Sequence, residues 1–249
     1  MKLKNLKSII KHVFRFFGLS IGKFRIDKPI ALTALKIEYV IDIGANTGQF
    51  AVAIRDKGYK GFIYSYEPLL DAHKKLVINS LSDSKWIIHP PAACGSKSGK
   101  SSINIAGNSA SSSLKKMLPN HLFSAPRSQT IGKQDVELVT VDSEIKRWKA
   151  VSGAILLKID TQGYEEEVLA GAALTLQIVE VVQIELSLVE LYQGQKLYSY
   201  FLNFFAKRDF QLFDVIPGFF NPQIGQLLQV DVVFVKKSYL EKINTRKNL

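Results

Sequence analysis

Residues 41–50 read IDIGANTGQF: an apolar run passes through Gly44 and Gly48, four residues apart, into an amphipathic segment. A short apolar run that ends in a turn is a buried strand, here 38–44. Phe50, Ala53 and Ile54 then recur on one face of a helix over 47–59 that stops near Gly58. The same alternation continues outward. Residues 61–68 form a second strand stopped by Pro68, 69–81 a helix and 85–95 a third strand. Strands at 135–142, 154–163 and 179–187 follow, with helices at 164–176 and 195–210, and strands at 210–216 and 227–237 close the chain. Such alternation predicts an α/β fold with a doubly wound, mostly parallel sheet. The last strand follows its predecessor with no helix between them, which predicts an antiparallel edge. Between 96 and 135 the chain turns to Ser, Gly, Lys and Asn, including GNSASSS at 107–113, and reads as a long polar insertion of loop character.

The chain has 249 residues, 47% of them hydrophobic and 22% charged, as expected of one soluble enzyme domain with extensions. One cysteine, Cys94, excludes an internal disulfide framework and any multi-cysteine metal site, and fits a reducing, cytoplasmic compartment. The net charge of +11 lies at the ends. Residues 1–28 carry eight basic side chains against Asp27, and residues 236–249 carry five against Glu241, so the body is neutral. A nucleic-acid enzyme concentrates positive charge around its groove, so no nucleic-acid partner is expected. In residues 1–28, Leu6, Ile9, Ile10, Val13, Phe14, Phe16 and Phe17 recur at helical spacing among basic residues. Two readings stay open: peripheral contact with the anionic inner face of a membrane, or a helix packed on the body with its lysines solvated. The apolar run is too short and too charged to span a bilayer.

In doubly wound sheets the ligand lies beyond the carboxyl ends of the strands, where 41–50 turns. Gly44 allows the tight turn, and Gly48 lets the helix approach sheet or ligand closely. Glu67, nineteen residues beyond Gly48, can accept both hydrogen bonds of a ribose diol, in NAD or in an adenosyl group. Asp42 separates the two. It repels a pyrophosphate and attracts an ammonium, by roughly several kcal/mol at a few ångströms. S-Adenosylmethionine carries an ammonium, a sulfonium and a ribose diol but no phosphate. Asp42 could simply cap the turn and Glu67 a solvated strand end; together they favour the adenosyl ligand. An NAD-linked oxidoreductase is disfavoured by Asp42 and by the absence of G-x-G-x-x-G. A noncatalytic adapter that docks on membranes through the basic helix and keeps the turn only structurally is a further alternative.

VIDIGANTGQFA, YSYEPL, LLKIDTQGYEEEVLAGA, VVQIELSLVELYQGQ and QVDVVFV occur in this order over 38–236. The combination resembles the FkbM-type family of S-adenosylmethionine-dependent methyltransferases. That resemblance implies a Rossmann-like, seven-stranded methyltransferase sheet and O-methylation of sugars, glycans or hydroxylated natural products, with methylation of a nonsugar hydroxyl or an amine as the alternative in the same fold. It implies that Asp42, Gly44, Ala45, Asn46 and Gly48 line the aminoacyl side of the cofactor, that Glu67, with Pro68 after it, holds the ribose, and that Ala92 in PPAACGSKSG lies near the adenine. The family often has Glu where this chain has Gln162. Residues 1–37 and the basic tail 237–249 lie outside the resemblance.

Methyl transfer to an alcohol needs alignment and a base within hydrogen-bond reach. Asp160 ends a central strand, and Lys158 shares its face by the two-residue period, so the lysine needs an acid partner. Glu185 ends the neighbouring strand, and Glu165 opens a helix, where a charge on the helix dipole is the simpler role. Asp160 or Glu185 is the expected base, with Lys158 orienting it and Glu165 nearby. A metal between Asp160 and Glu185 would need more oxygen ligands than the sequence offers, and none is expected. Candidate acceptor contacts are Ser111 and Ser112 of the insertion, His121, and Tyr192 with Gln195 in ELYQGQ; the acceptor is expected to be a hydroxylated small molecule or glycan, and the oligomeric state is left open.

Overall fold

The computed structural model describes residues 29–148 and 153–245. The readings made for residues 1–28, membrane contact included, lie outside these residues. In the first half, α1 (Pro29–Ala34), β1 (Ile37–Ile43), α2 (Gln49–Asp56), β2 (Phe62–Tyr66), α3 (Leu70–Ser80) and β3 (Trp86–Ile88) alternate. Then come β4 (Ala93–Cys94), β5 (Gly99–Ala106), α4 (Pro119–Ser124), β6 (Thr130–Val139) and α5 (Val141–Glu144). The second half is β7 (Ala154–Ile159), α6 (Glu165–Ala170), α7 (Thr175–Ile178), β8 (Val181–Ser187), α8 (Tyr198–Ala206), β9 (Phe210–Pro217), β10 (Gln229–Lys236) and α9 (Lys237–Thr245).

Seven strands form the main sheet in the order β3-β2-β1-β7-β8-β10-β9. β3, β2, β1, β7 and β8 pair in parallel, and β10 runs antiparallel to both β8 and β9. The last strand is therefore antiparallel as expected, but it inserts between β8 and β9 and leaves β9 at the edge. The central strands are apolar because helices cover both faces. One face carries Ile41, Ile43, Leu157, Ile159, Val182 and Ile184 against Phe201 and Phe205 of α8. The other carries Val40, Leu156, Val181 and Val233 against Ala51 and Ile54 of α2 and Leu32 and Leu35 near α1.

Four expectations change. The run 85–95 is two short strands, because Pro90 and Pro91 interrupt it: β3 joins the main sheet, and β4 joins a second, three-stranded sheet. The polar insertion is not a bare loop, since β5 pairs antiparallel with β6 from Gly99↔Leu138 to Ala106↔Thr130. Its Ser, Lys and Asn residues conceal a half-exposed strand in which Ile103 and Ala106 are buried. The helix expected over 164–176 breaks at Gly171 into α6 and α7, with Asp142 accepting hydrogen bonds from the Leu174 and Thr175 amides. Lys237–Thr245 is helical rather than tail, with Ile243 buried and the Tyr239 hydroxyl donating to the Leu35 carbonyl at 2.7 Å.

Candidate active site

The chain leaves β1 through Gly44 at φ +80°, and a Cβ there would stand 1.9 Å from the Asp160 carbonyl oxygen. Only glycine lets the ends of β1 and β7 meet this closely. Gly48, at φ +90°, begins α2; a Cβ on it would press into the Trp86 ring at 2.6 Å, so it serves the packing of α2 on the sheet. Between these glycines, the Asn46 amide donates to Glu67 Oε2 at 2.8 Å, and the Leu69 amide donates to Glu67 Oε1 at the same distance. The Glu67 carboxylate is thus fixed at the end of β2 by backbone donors. Burial pushes its carboxyl up to about 7 against the pull of those two donors.

A cavity of about 360 Å³ opens here, within the size range of ligand sites. Of the residues expected at the cofactor, Gly44, Ala45, Asn46, Glu67, Pro68 and Ala92 line it, whereas Asp42 and Gly48 do not. Asp42 lies inside β1, 0% exposed, rather than in the turn. The ammonium it faces belongs to the protein: Lys158 Nζ stands 3.6 Å from Asp42 Oδ1 and 3.3 Å from Asp160 Oδ2. Burial raises the Asp42 carboxyl, and Lys158 opposes that rise. Burial also works to strip the Lys158 proton, but Asp160, Asp42 and Asp231 together outweigh it and hold the ammonium above its ordinary range. The acid partner that the sequence requires for Lys158 is therefore present twice.

Asp160 lines the cavity beside Gly44, with its side chain 31% exposed. Gln162, in left-handed conformation at φ +55°, donates its amide to Asp160 Oδ1 at 2.9 Å and to Glu185 Oε2 at 2.7 Å. Gln229 donates to the same Glu185 oxygen at 2.7 Å. A carboxamide thus fills the gap between the two acids where a bridging cation was weighed, and among the described residues no group of three metal-ligating side chains gathers. Glu185 stands behind Gln162 and does not line the cavity. Burial, with Asp160, Glu165 and Asp231 nearby, raises its carboxyl well above the ordinary range. Glu165 also stands away from the cavity; its Oε1 accepts from the Thr161 and Gly163 amides and the Thr161 hydroxyl, closing the 161–163 turn. Burial pushes this carboxyl up to about 7.

Of the residues expected from the insertion, one reaches the site. Ser112 lines the cavity, as do Ser109, Ile103 and Leu114, which the sequence reading missed. Ser109 meets Asn46 through their side chains at 3.2 Å, and the Ser113 hydroxyl donates to the Gln162 carbonyl at 2.7 Å. Ser111 is buried against Ser128 at 2.9 Å. Tyr192 is fully buried, its hydroxyl 2.9 Å from both the Ser111 carbonyl and Gln162 Oε1. Gln195 accepts from the Leu191 and Tyr192 amides, so it holds the ELYQGQ turn. Other missed residues are Phe50 on α2, Lys57 just after it, and Gln183 and Asp231 on β8 and β10. The last two carried a signal: each is a polar residue inside an apolar strand, VVQIELS and QVDVVFV.

His121 is 2% exposed and stands between the rings of Tyr192 and Phe219, at 5.3 and 5.2 Å, with neither ring nitrogen hydrogen-bonded. It does not line the cavity. Burial lowers its pKa from 6.5 to about 4. The unfolded chain therefore binds the proton first, and stability is lost as pH falls from about 6.5 towards 4, by on the order of 3 kcal/mol. His121→Leu is expected to lose correspondingly less between pH 7.5 and pH 4, which urea titrations at the two pH values would measure.

Sheet order, glycine turn, fixed carboxylate and cavity together define a Rossmann-like methyltransferase fold. The chain belongs to the FkbM methyltransferase family, whose Methyltransferase FkbM domain matches residues 42–212. No curated protein matches the chain. Solved structures similar to it include an rRNA methylase from Streptococcus thermophilus, at 12% identity and TM-score 0.45 over 86% of this chain and 99% of that one. Another is magnesium protoporphyrin IX methyltransferase from Synechocystis with bound S-adenosylmethionine, at 8% and 0.43 over 92% and 79%. Likeness this distant bears on neither acceptor nor mechanism. Among the described residues no helix is long and apolar enough to cross a membrane.

Proposed function

We propose that the chain is an S-adenosylmethionine-dependent O-methyltransferase whose acceptor is a hydroxyl on a sugar, glycan or glycosylated lipid. The observation that carries this reading is the Glu67 carboxylate, fixed by two backbone donors at the wall of the cavity. Its remaining lone pairs suit a ribose diol, and the apolar surfaces of Pro68, Leu69, Ala92, Ile103 and Leu114 beside it suit an adenine. Phosphate is disfavoured there. Asp42 is neutralised by Lys158, so the repulsion falls to Asp160 beside Gly44, and Lys158 is already engaged by two carboxylates.

When bound, S-adenosylmethionine supplies an electrophilic methyl group on a sulfonium, which an acceptor hydroxyl can take. Asp160 is placed to receive the hydroxyl proton: of the expected candidates Asp160, Glu165 and Glu185, it alone lines the cavity. Lys158 and Gln162 fix its two oxygens, at 3.3 and 2.9 Å, and so orient it as base. Asp160→Asn is expected to lower transfer of isotopically labelled methyl to a cell-envelope glycan extract by about 10²- to 10⁴-fold. S-Adenosylhomocysteine affinity should stay nearly unchanged. Full activity of Asp160→Asn would remove the assignment, and label appearing only on nonsugar hydroxyls or amines would replace the acceptor class.

A further inference from the structure

Cavity-lining residues follow the order of the strands. Glu67 follows β2, Gly44 follows β1, Asp160 follows β7, and then come Gln183 on β8 and Asp231 on β10. The first two belong to the cofactor reading and Asp160 to the chemistry. The part under β8 and β10 is left over. There Lys158 and Gln183 are register neighbours, and Gln183 Nε2 donates to Asp231 Oδ1 at 3.3 Å. Phe50 lies over Lys158, 5.2 Å from its ammonium to the ring centroid.

We propose that this end of the cavity is the acceptor subsite, that Gln183 and Asp231 position the acceptor, and that it takes a neutral hydroxyl-rich ring in preference to an anionic one. The proposal rests on the methyl-transfer reading above. A carboxamide beside a carboxylate offers both donor and acceptor groups to adjacent hydroxyls, which suits a sugar ring. Both stand in strands whose neighbouring residues are apolar, where a polar side chain is costly without hydrogen-bond partners. The nearby charges favour a neutral ligand: Asp42, Asp160 and Asp231 face Lys158, with Lys57 the other basic residue on the wall. An anion placed there meets a surplus of carboxylate at low dielectric. Phe50 offers an apolar face at the same end. The site lies one and two strands beyond Asp160, on the side away from the Glu67 end.

The test uses the full chain saturated with S-adenosylhomocysteine, titrated by saturation-transfer NMR. Methyl α-mannopyranoside and methyl α-rhamnopyranoside are the neutral probes, and glucuronic acid is the anionic one. Both neutral probes should bind more tightly than glucuronic acid. Asp231→Asn and Gln183→Met should each weaken them by about tenfold, the loss of one well-placed hydrogen bond. S-Adenosylhomocysteine affinity should stay within about twofold, which also reports an intact fold. Neutral probes that do not bind, that bind the variants equally well, or that bind no better than glucuronic acid overturn the proposal. So does a variant that loses S-adenosylhomocysteine affinity while keeping that for 5′-methylthioadenosine, since the subsite would then hold the amino-acid tail of the donor. If the wild-type chain fails to bind S-adenosylhomocysteine, the methyl-transfer reading falls, and the subsite with it.

Discussion

Lys158→Met is expected to destabilise the fold by about 3–5 kcal/mol at neutral pH, the cost of leaving a buried charge without its partner. Asp42 is 0% exposed, has no hydrogen bond to either oxygen, and has the Lys158 ammonium at 3.6 Å. Without that ammonium the carboxyl must take up a proton or pull water into the sheet. Asp160 and Asp231 lose the same counter-charge. The sign follows from the burial of Asp42. Its folded pKa is raised further in the variant, so the deficit is largest above that value and shrinks as pH falls through it. Urea titrations of Lys158→Met at pH 5 and pH 8 would read the difference. Adding Asp42→Asn should recover most of the loss, because the pair can leave together at far smaller cost than either alone. A Lys158→Met chain as stable as the wild type at pH 8 would mean that the ammonium is not what holds Asp42.

Gln162→Glu tests the acid cluster from the other side. The Gln162 amide donates to Asp160 and Glu185 at 2.9 and 2.7 Å. A glutamate in its place sets three carboxylates within hydrogen-bond reach. Its folded pKa is raised, so the variant should be nearly as stable as wild type near pH 5 and lose about 2–4 kcal/mol by pH 8. The other contacts of position 162 sharpen the expectation. Tyr192 meets the side-chain oxygen, which a glutamate retains, and Ser113 meets the backbone carbonyl. The loss should therefore come from the added charge together with the two lost amide donors, and Gln162→Met, which loses the same donors but adds no charge, should show a weaker pH dependence.

Much of this architecture is legible in the chain. The strand–turn–helix at 41–50 gives the doubly wound sheet because apolar period and glycine position are local properties. Glu67 is legible because the end of β2 is marked by Pro68 and by the distance from Gly48. Asp42 reads differently in sequence and structure. Its spacing puts it near the turn, but only the register of β1 on β7 sets it opposite Lys158, and register between distant strands is not a local property. Gln183 and Asp231 reach one wall for the same reason, through the antiparallel insertion of β10. The serine run at 109–113 offers several equivalent hydroxyls to a sequence reader. The hairpin of β5 and β6 turns Ser109 and Ser112 inward and spends Ser111 and Ser113 on Ser128 and Gln162.

On the proposed function, the glycine turn and Glu67 hold an adenosyl ligand without phosphate. Isothermal calorimetry of the full chain with S-adenosylmethionine, S-adenosylhomocysteine and NAD tests it directly, with Glu67→Ala as the companion variant. Both sulfur ligands should bind, NAD should not, and Glu67→Ala should weaken S-adenosylhomocysteine by about tenfold or more, as loss of a charged hydrogen-bond acceptor requires. Tighter binding of NAD than of S-adenosylhomocysteine, or a Glu67→Ala chain that binds as the wild type does, would contradict the account.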